Sequence, residues 1–183
     1  QQMNARAELP LHAPGTTTDR GYIGQSAPRP NAKRLLQGRG AYVDDLRFPR
    51  LAHVVFFRSP YAHARLKRLH LAAAAAQPGV IAAFDGRAVA AYCKPWVGVL
   101  GHLKGIKSPP QYAIAIERAC WQGEAVAAIV AETRAQGEDA LQHVEAEWEE
   151  LPVVTDMEAA LAGPPVIHPE LGDNVCFARE LDT

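Results

Sequence analysis

The stretch FFRSPYAHARL, Phe56 to Leu66, sets Arg58, Ser59, Tyr61, His63 and Arg65 behind a pair of phenylalanines. Read as chemistry, it offers Ser59 as a nucleophile with His63 as its base. Such a pair needs a third group to orient the imidazole and donors for an oxyanion, and the segment supplies neither. Read as architecture, it is a strand, a proline-forced break and a return strand. Pro60 cannot donate to a ladder and fixes its own φ. Ser59, directly before it, stands in a turn setting where a hydroxyl bonds nearby backbone. The architectural reading decides the fold.

Working outward, residues 51–58 put Leu51, His53, Val55 and Phe57 on one face and Ala52, Val54 and Phe56 on the other. Both faces are apolar, so this strand is expected to be covered on both sides. A return strand over 63–71 leads to a helical turn, AAAAAQ, ended by Pro78-Gly79. A strand over 79–84 and a short helix over 86–92 follow. Residues 93–111 then hold three glycines and three prolines with no periodicity, an unusually long loop of the kind that is functional or disordered. YAIAIE (112–117) and GEAVAAIVAE (123–132) read as strands, the second continuously buried. Thr133 and Gln136 form a capping box that opens a helix over 134–142. Across 143–151 Val144, Ala146 and Trp148 alternate with Glu145, Glu147 and Glu149, a strand with one wet face. Thr155 to Glu158 reads as a second capping box, before a helix that stops at Gly163-Pro164-Pro165.

Upstream, residues 1–30 are polar, rich in Pro, Thr and Gly, and predict a flexible arm. Gly38 and Gly40 punctuate a turn before a short strand. Asp44 and Asp45 suggest a paired-carboxylate site, but adjacent strand residues point to opposite faces and cannot converge. They are expected to serve the turn before Pro49. Glu124, at a strand start after Gly123, reads as a charge bonding nearby backbone or an arginine rather than a tuned base. Strands in pairs with short helices between them, in no strict alternation, argue an α+β fold.

The 183 residues carry 19 basic and 20 acidic side chains, a net charge of −1, which gives no electrostatic case for nucleic acid or an anionic membrane. No apolar run approaches the roughly 20 residues of a bilayer span. The N-terminal stretch has no apolar core of a secretory signal, so a soluble, cytoplasmic protein is expected. Cys93, Cys120 and Cys176 form no C-x-x-C pair, which excludes a zinc ribbon, a redox dithiol or a cysteine-held iron–sulfur cluster built from them alone. They are expected to be small buried hydrophobes. Cys93 and His102 make half a metal site that nothing completes.

The segments GRGAYVDDL, FFRSPYAHARL, QPGVIAAFDG, WQGEAVAAIVAET, EDALQHVEAEWEELPVVTD and AAL follow in order from Gln37 to Leu161. Together they resemble the α/β-hammerhead domain that opens the molybdenum-binding large subunit of xanthine dehydrogenases, aldehyde oxidases and aerobic carbon monoxide dehydrogenases. On this resemblance Arg58, Ser59, Pro60, His63, Ala64, Arg65, Gly123 and Glu124 are structural signature positions. Departures are Pro49-Arg50 for the usual Pro-Gly, Ala125 for a proline, and His70 for an aspartate.

The resemblance implies a hammerhead domain over 31–165 and, over 166–183, a linker towards cofactor domains, since the pterin-binding segment and the base glutamate lie far downstream in the family. It implies no catalytic, cofactor-binding or metal-binding residue in this chain. Trp96, Val99, Leu100, Leu103 and Ile106 of the long loop are the candidates for a substrate funnel or an interface. The parent enzyme is implied to be an oxidoreductase hydroxylating an electron-poor carbon. Its molybdenum–pterin cofactor, 2Fe–2S clusters and FAD would sit on other domains or subunits. Those are the expected partners, with a homodimer also open. The rival from another class is an autonomous, non-enzymatic interaction module with the same fold; a hydrolase built on Ser59 and His63 ranks behind both.

Overall fold

The computed structural model describes residues 29–98, 100 and 102–180. The arm expected over 1–30 lies outside these apart from its last two residues. The chain divides into two compact units between Arg47 and Phe48. In the first, helix α1 (Ala32–Leu36) buries no side chain and ends before Gly38, whose φ of 69° is the left-handed conformation that closes a helix. The short strand expected beyond Gly40 is instead a 3₁₀ turn, Val43–Asp45. Asp45 Oδ2 accepts from the Tyr42 N–H at 2.9 Å, the local carboxylate-to-backbone bond that competes with a ladder.

The second unit holds two three-stranded antiparallel sheets. The first is ordered β1 (His53–Arg58), β5 (Ala125–Ala131), β3 (Val80–Asp85), with β5 central. The second is ordered β4 (Arg118–Ala119), β2 (Ala64–His70), β6 (Glu145–Glu150), with β2 central. Residues 59–63 carry the chain from one sheet to the other. These sheets with short helices are the α+β hammerhead arrangement predicted from the sequence.

Helices α2 (Ala72–Ala75) and α3 (Gly86–Ala90) flank β3, and Asp85 caps α3 by accepting from the Ala88 N–H at 2.7 Å. Helix α4 (Arg134–Leu141) opens on the predicted box: Thr133 accepts from the Gln136 N–H, and Gln136 from the Thr133 N–H. It crosses β1 and β5 closely because Gly137 faces Val55, where a Cβ would lie 3.0 Å from Cγ2. Val55, Ala74, Ile129 and Ala140 form the core beneath, joined by Val80, Ala83, Leu141 and Val144. Helix α5 (Met157–Ala162) is capped one residue later than expected: Asp156, not Thr155, accepts from the Ala159 N–H at 2.7 Å. Aspartate is the stronger cap of the two. No helix among the described residues is long and apolar enough to cross a membrane.

Two strand expectations need correction. β1 is covered on one face only: Val55 is buried against α4, whereas Val54 and Phe56 are 52% and 40% exposed. Apolar composition on both faces predicted two covers, and this chain folds one. Residues 112–117 are no strand, because Ile114 and Ala115 are buried in an irregular path against the backbone of Gly86. Their single bonds, Ala115 N–H to Ala125 O and Leu66 N–H to Glu117 O, do not repeat as a ladder.

Arg50 stands where the resembled family carries glycine, and its φ is +61°, in the left-handed region. A Cβ there costs about 1 kcal/mol. Arg50→Gly is therefore expected to raise stability by about that amount, read as a higher urea midpoint at unchanged slope.

Candidate functional site

The turn between β1 and β2 is built from polar side chains bonded to nearby backbone. Ser59, 2% exposed, donates its hydroxyl to Tyr61 O at 2.9 Å and accepts from the Tyr61 N–H at 3.1 Å. Its backbone N–H donates to Glu124 O at 2.8 Å, and its carbonyl accepts from the Gly123 N–H at 2.9 Å. Arg58 donates to Gly123 O at 2.8 Å and rests its guanidinium 5.4 Å over the Phe56 ring.

His63, 6% exposed, places Nδ1 2.7 Å from Pro152 O. A carbonyl only accepts, so Nδ1 carries a proton. Nε2 is buried without a hydrogen-bond partner. Ser59 and His63 are thus neighbours in sequence whose polar atoms are turned to different backbone partners. Ser59 is tied to the chain entering β5 of the first sheet and His63 to the chain leaving β6 of the second, an arrangement that anchors the two ends of the crossing rather than one that pairs a nucleophile with its base. Tyr61 adds an edge-on contact to Trp148, with ring centroids 5.9 Å apart.

Glu124 is half-buried, and its Oε2 accepts from the Cys120 N–H at 2.6 Å, closing the turn before β5. Burial pushes its carboxyl above the usual range, opposed by the backbone bonds from Cys120 and Trp121 and by Arg118. Gly123, at φ 89°, lets that turn form. Ala64, fully buried, and Arg65, paired with Glu149 at 3.0 Å, begin β2. Pro60 is exposed at the tip.

The cysteines are not the buried hydrophobes expected: Cys93 and Cys176 are exposed and Cys120 is half-buried. Cys93 lies in the long loop and Cys176 in the last segment, where no sheet or helix covers them. Burial raises the Cys120 thiol against the pull of Arg118, which leaves little thiolate for chemistry. Among the described residues no group of three or more His, Cys, Asp or Glu side chains could hold a metal ion.

An open groove of about 720 Å³ runs past Arg65, Arg87, Tyr112, Arg118, Cys120 and Glu170. Its arginines are already matched: Arg87 lies 3.7 Å from Glu117, and Arg118 lies 3.7 Å from Glu170. Exposed pairs at such distances are weak, and their charges nearly cancel. Lys67 also lines the groove, with no ion pair of its own shorter than 4.0 Å among the described residues.

The loop over 93–111 is pinned at its base, where Trp96 and Gln111 exchange both backbone bonds at 2.7 and 2.8 Å. Of the loop candidates, Trp96 and Leu100 are 63% and 50% exposed, Leu103 and Ile106 are half-buried, and Val99 lies outside the described residues. Sequence reasoning missed the residue that fixes this loop. Lys107 Nζ donates to both oxygens of Asp173 at 2.7 Å and to Leu171 O at 3.3 Å, while its backbone N–H donates to Cys176 O. The partners are 66 residues apart, and no motif links them.

Residues 37–152 match the family described as aldehyde oxidase and xanthine dehydrogenase, a/b hammerhead domain. The large subunit of nicotine 6-hydroxylase from Paenarthrobacter nicotinovorans is 35% identical over 85% of this chain and 19% of its own length. The molybdenum-binding subunit of xanthine dehydrogenase from Escherichia coli O157:H7 is 33% identical over 73% of this chain and 18% of its own. The crystal structure of quinoline 2-oxidoreductase from Pseudomonas putida 86 superposes with a TM-score of 0.77 at 39% identity, covering 86% of this chain and 20% of that one. This chain thus spans about a fifth of the length of the curated relatives it matches. Two antiparallel sheets joined through residues 59–63 and the match over 37–152 agree: the chain belongs to the a/b hammerhead domain family of aldehyde oxidases and xanthine dehydrogenases.

Proposed function

We propose that this chain serves as the N-terminal structural module of a molybdenum hydroxylase, an oxidoreductase of the xanthine dehydrogenase type, and performs no catalysis by itself. The observation that carries the reading is the family match over 37–152 in a chain about a fifth as long as its relatives. It is supported by the Ser59 hydroxyl and His63 Nδ1, which are spent on backbone partners rather than aimed at a substrate. In this reading the molybdenum–pterin cofactor belongs to other domains of the same large subunit, and 2Fe–2S clusters and FAD to further domains or subunits. The assembled enzyme works in the cytoplasm.

Here the signature positions Arg58, Ser59, Pro60, His63, Ala64, Arg65, Gly123 and Glu124 hold the two sheets together. Trp96, Leu100, Leu103 and Ile106 form an apolar rim that packs on a neighbouring domain and borders its substrate funnel. Residues 166–183 lead towards the cofactor domains. The test is a chimaera of the Escherichia coli O157:H7 xanthine dehydrogenase subunit in which this sequence replaces the matching segment. Molybdenum content near that of the parent subunit is expected. A soluble, folded chimaera without molybdenum would contradict the module reading and favour an autonomous interaction domain.

A further inference from the structure

The sheet β1-β5-β3 has two faces, and its register sorts their residues. Val55 pairs with Ile129, and Ile129 with Ala83, all turned towards α4 and the core. Their neighbours point the other way. Val54 lies across from Val130, and Phe56 from Ala128, with Phe84 on the far side of Ala128. On that outer face Val54, Phe56 and Phe84 are 52%, 40% and 40% exposed, and Ile81, the unpaired residue at the bulge of β3 beside Ala82, is 59% exposed. Between them the central strand presents Ala128, buried between the two phenylalanines, and Val130, half-buried. The result is a shallow apolar surface across β5, with Arg58 at its end over the Phe56 ring.

A strand apolar on both sides belongs in the middle layer of a stack. α4 supplies one cover. The size of the other face decides what supplies the second. Three strands about 4.8 Å apart and about 20 Å long outline about 300 Å² in plan. A stable interface between separate chains needs about 800 Å² from each partner. A second copy seated on this face alone falls well short. A segment of the same polypeptide does not face that threshold, because a tether holds it at millimolar effective concentration. The relatives supply such length: about four fifths of each lies beyond what this chain matches.

Resting on the module reading above, we infer that the outer face of β1-β5-β3 is the docking surface for an apolar element of the large subunit's remaining polypeptide. That element seats along β5 between the Val54/Phe56 row and the Ile81/Phe84 row, completing a three-layer stack with α4.

Thiol labelling tests this. Val54→Cys is introduced with Cys93→Ser, Cys120→Ala and Cys176→Ser, both in the 183-residue chain and in the chimaera described above. Maleimide rates are normalised to the same site in urea. The expected result is labelling at least tenfold slower in the chimaera than in the 183-residue chain. Rates within twofold of each other would overturn the inference. Sedimentation velocity of the 183-residue chain gives a second, chimaera-independent reading. A monomer at micromolar concentration supports a tethered occupant, whereas a dimer abolished by Phe56→Glu would assign the face to a second copy and overturn it. The two claims fail separately: a chimaera that holds molybdenum but leaves Val54→Cys open sinks the docking face alone. One that protects the thiol yet lacks molybdenum sinks the module reading alone.

Discussion

Gly86→Ala is expected to destabilise the domain by roughly 3 kcal/mol, a loss of roughly 6–12 °C in Tm for a chain of this size. Gly86 opens α3 directly after its cap, Asp85, and is buried beneath the irregular 112–117 path. A Cβ there would lie 2.7 Å from Ile114 O and 2.9 Å from the Ala115 carbonyl carbon. Both are backbone atoms, so no rotamer change relieves the overlap. Ile114 and Ala115 are themselves buried, and Ala115 N–H is bonded to Ala125 at the start of the central strand β5. Moving the path aside would break that bond at the start of β5. A chemical denaturation curve decides it: a loss under 1 kcal/mol would mean that the 112–117 segment yields freely and does not brace the fold.

Ile129→Ala is expected to cost roughly 3–4 kcal/mol, because a fully buried side chain at the centre of the core leaves a cavity that its neighbours cannot close. Val55 lies across from it on one strand, Ala83 on the other, and Ala140 of α4 beneath. The milder Ile129→Val should cost roughly 1 kcal/mol. The contrast with the other side of the sheet sharpens the prediction. Val54→Ala, on the half-exposed outer face, should cost well under 1 kcal/mol in the 183-residue chain, since little of its surface is buried there. Equal costs for Val54→Ala and Ile129→Ala would mean that the two faces have been assigned wrongly.

Local chemistry made several features legible. Thr133 and Gln136 announce their helix because both partners of the box lie within four residues. The alternation over 145–150 shows its wet face because Glu145 and Glu147 are exposed between half-buried neighbours. Pro60 marks the crossing between the sheets because proline ends a ladder wherever it stands. What escaped depends on contacts distant in sequence. YAIAIE has strand composition, yet it follows an irregular path against Gly86. Asp156 outcompetes Thr155 as a cap by a preference the box pattern does not encode. The single cover on β1 could not be read from alternation, which reports that a face is apolar and not which chain covers it. At the candidate site, the sequence offered Ser59 and His63 as a pair. Only the backbone partners, Tyr61 and Pro152, give each its role. The Lys107–Asp173 tie left no trace in either local segment.

The claim that chemistry resides outside these residues meets its most direct test in elemental analysis of the purified 183-residue chain, with its intact mass recorded alongside. No molybdenum at the full mass is the predicted result. Near one molybdenum per chain, with no other polypeptide present, would contradict the account and place a cofactor site among the residues read here as a sheet crossing and a packing surface.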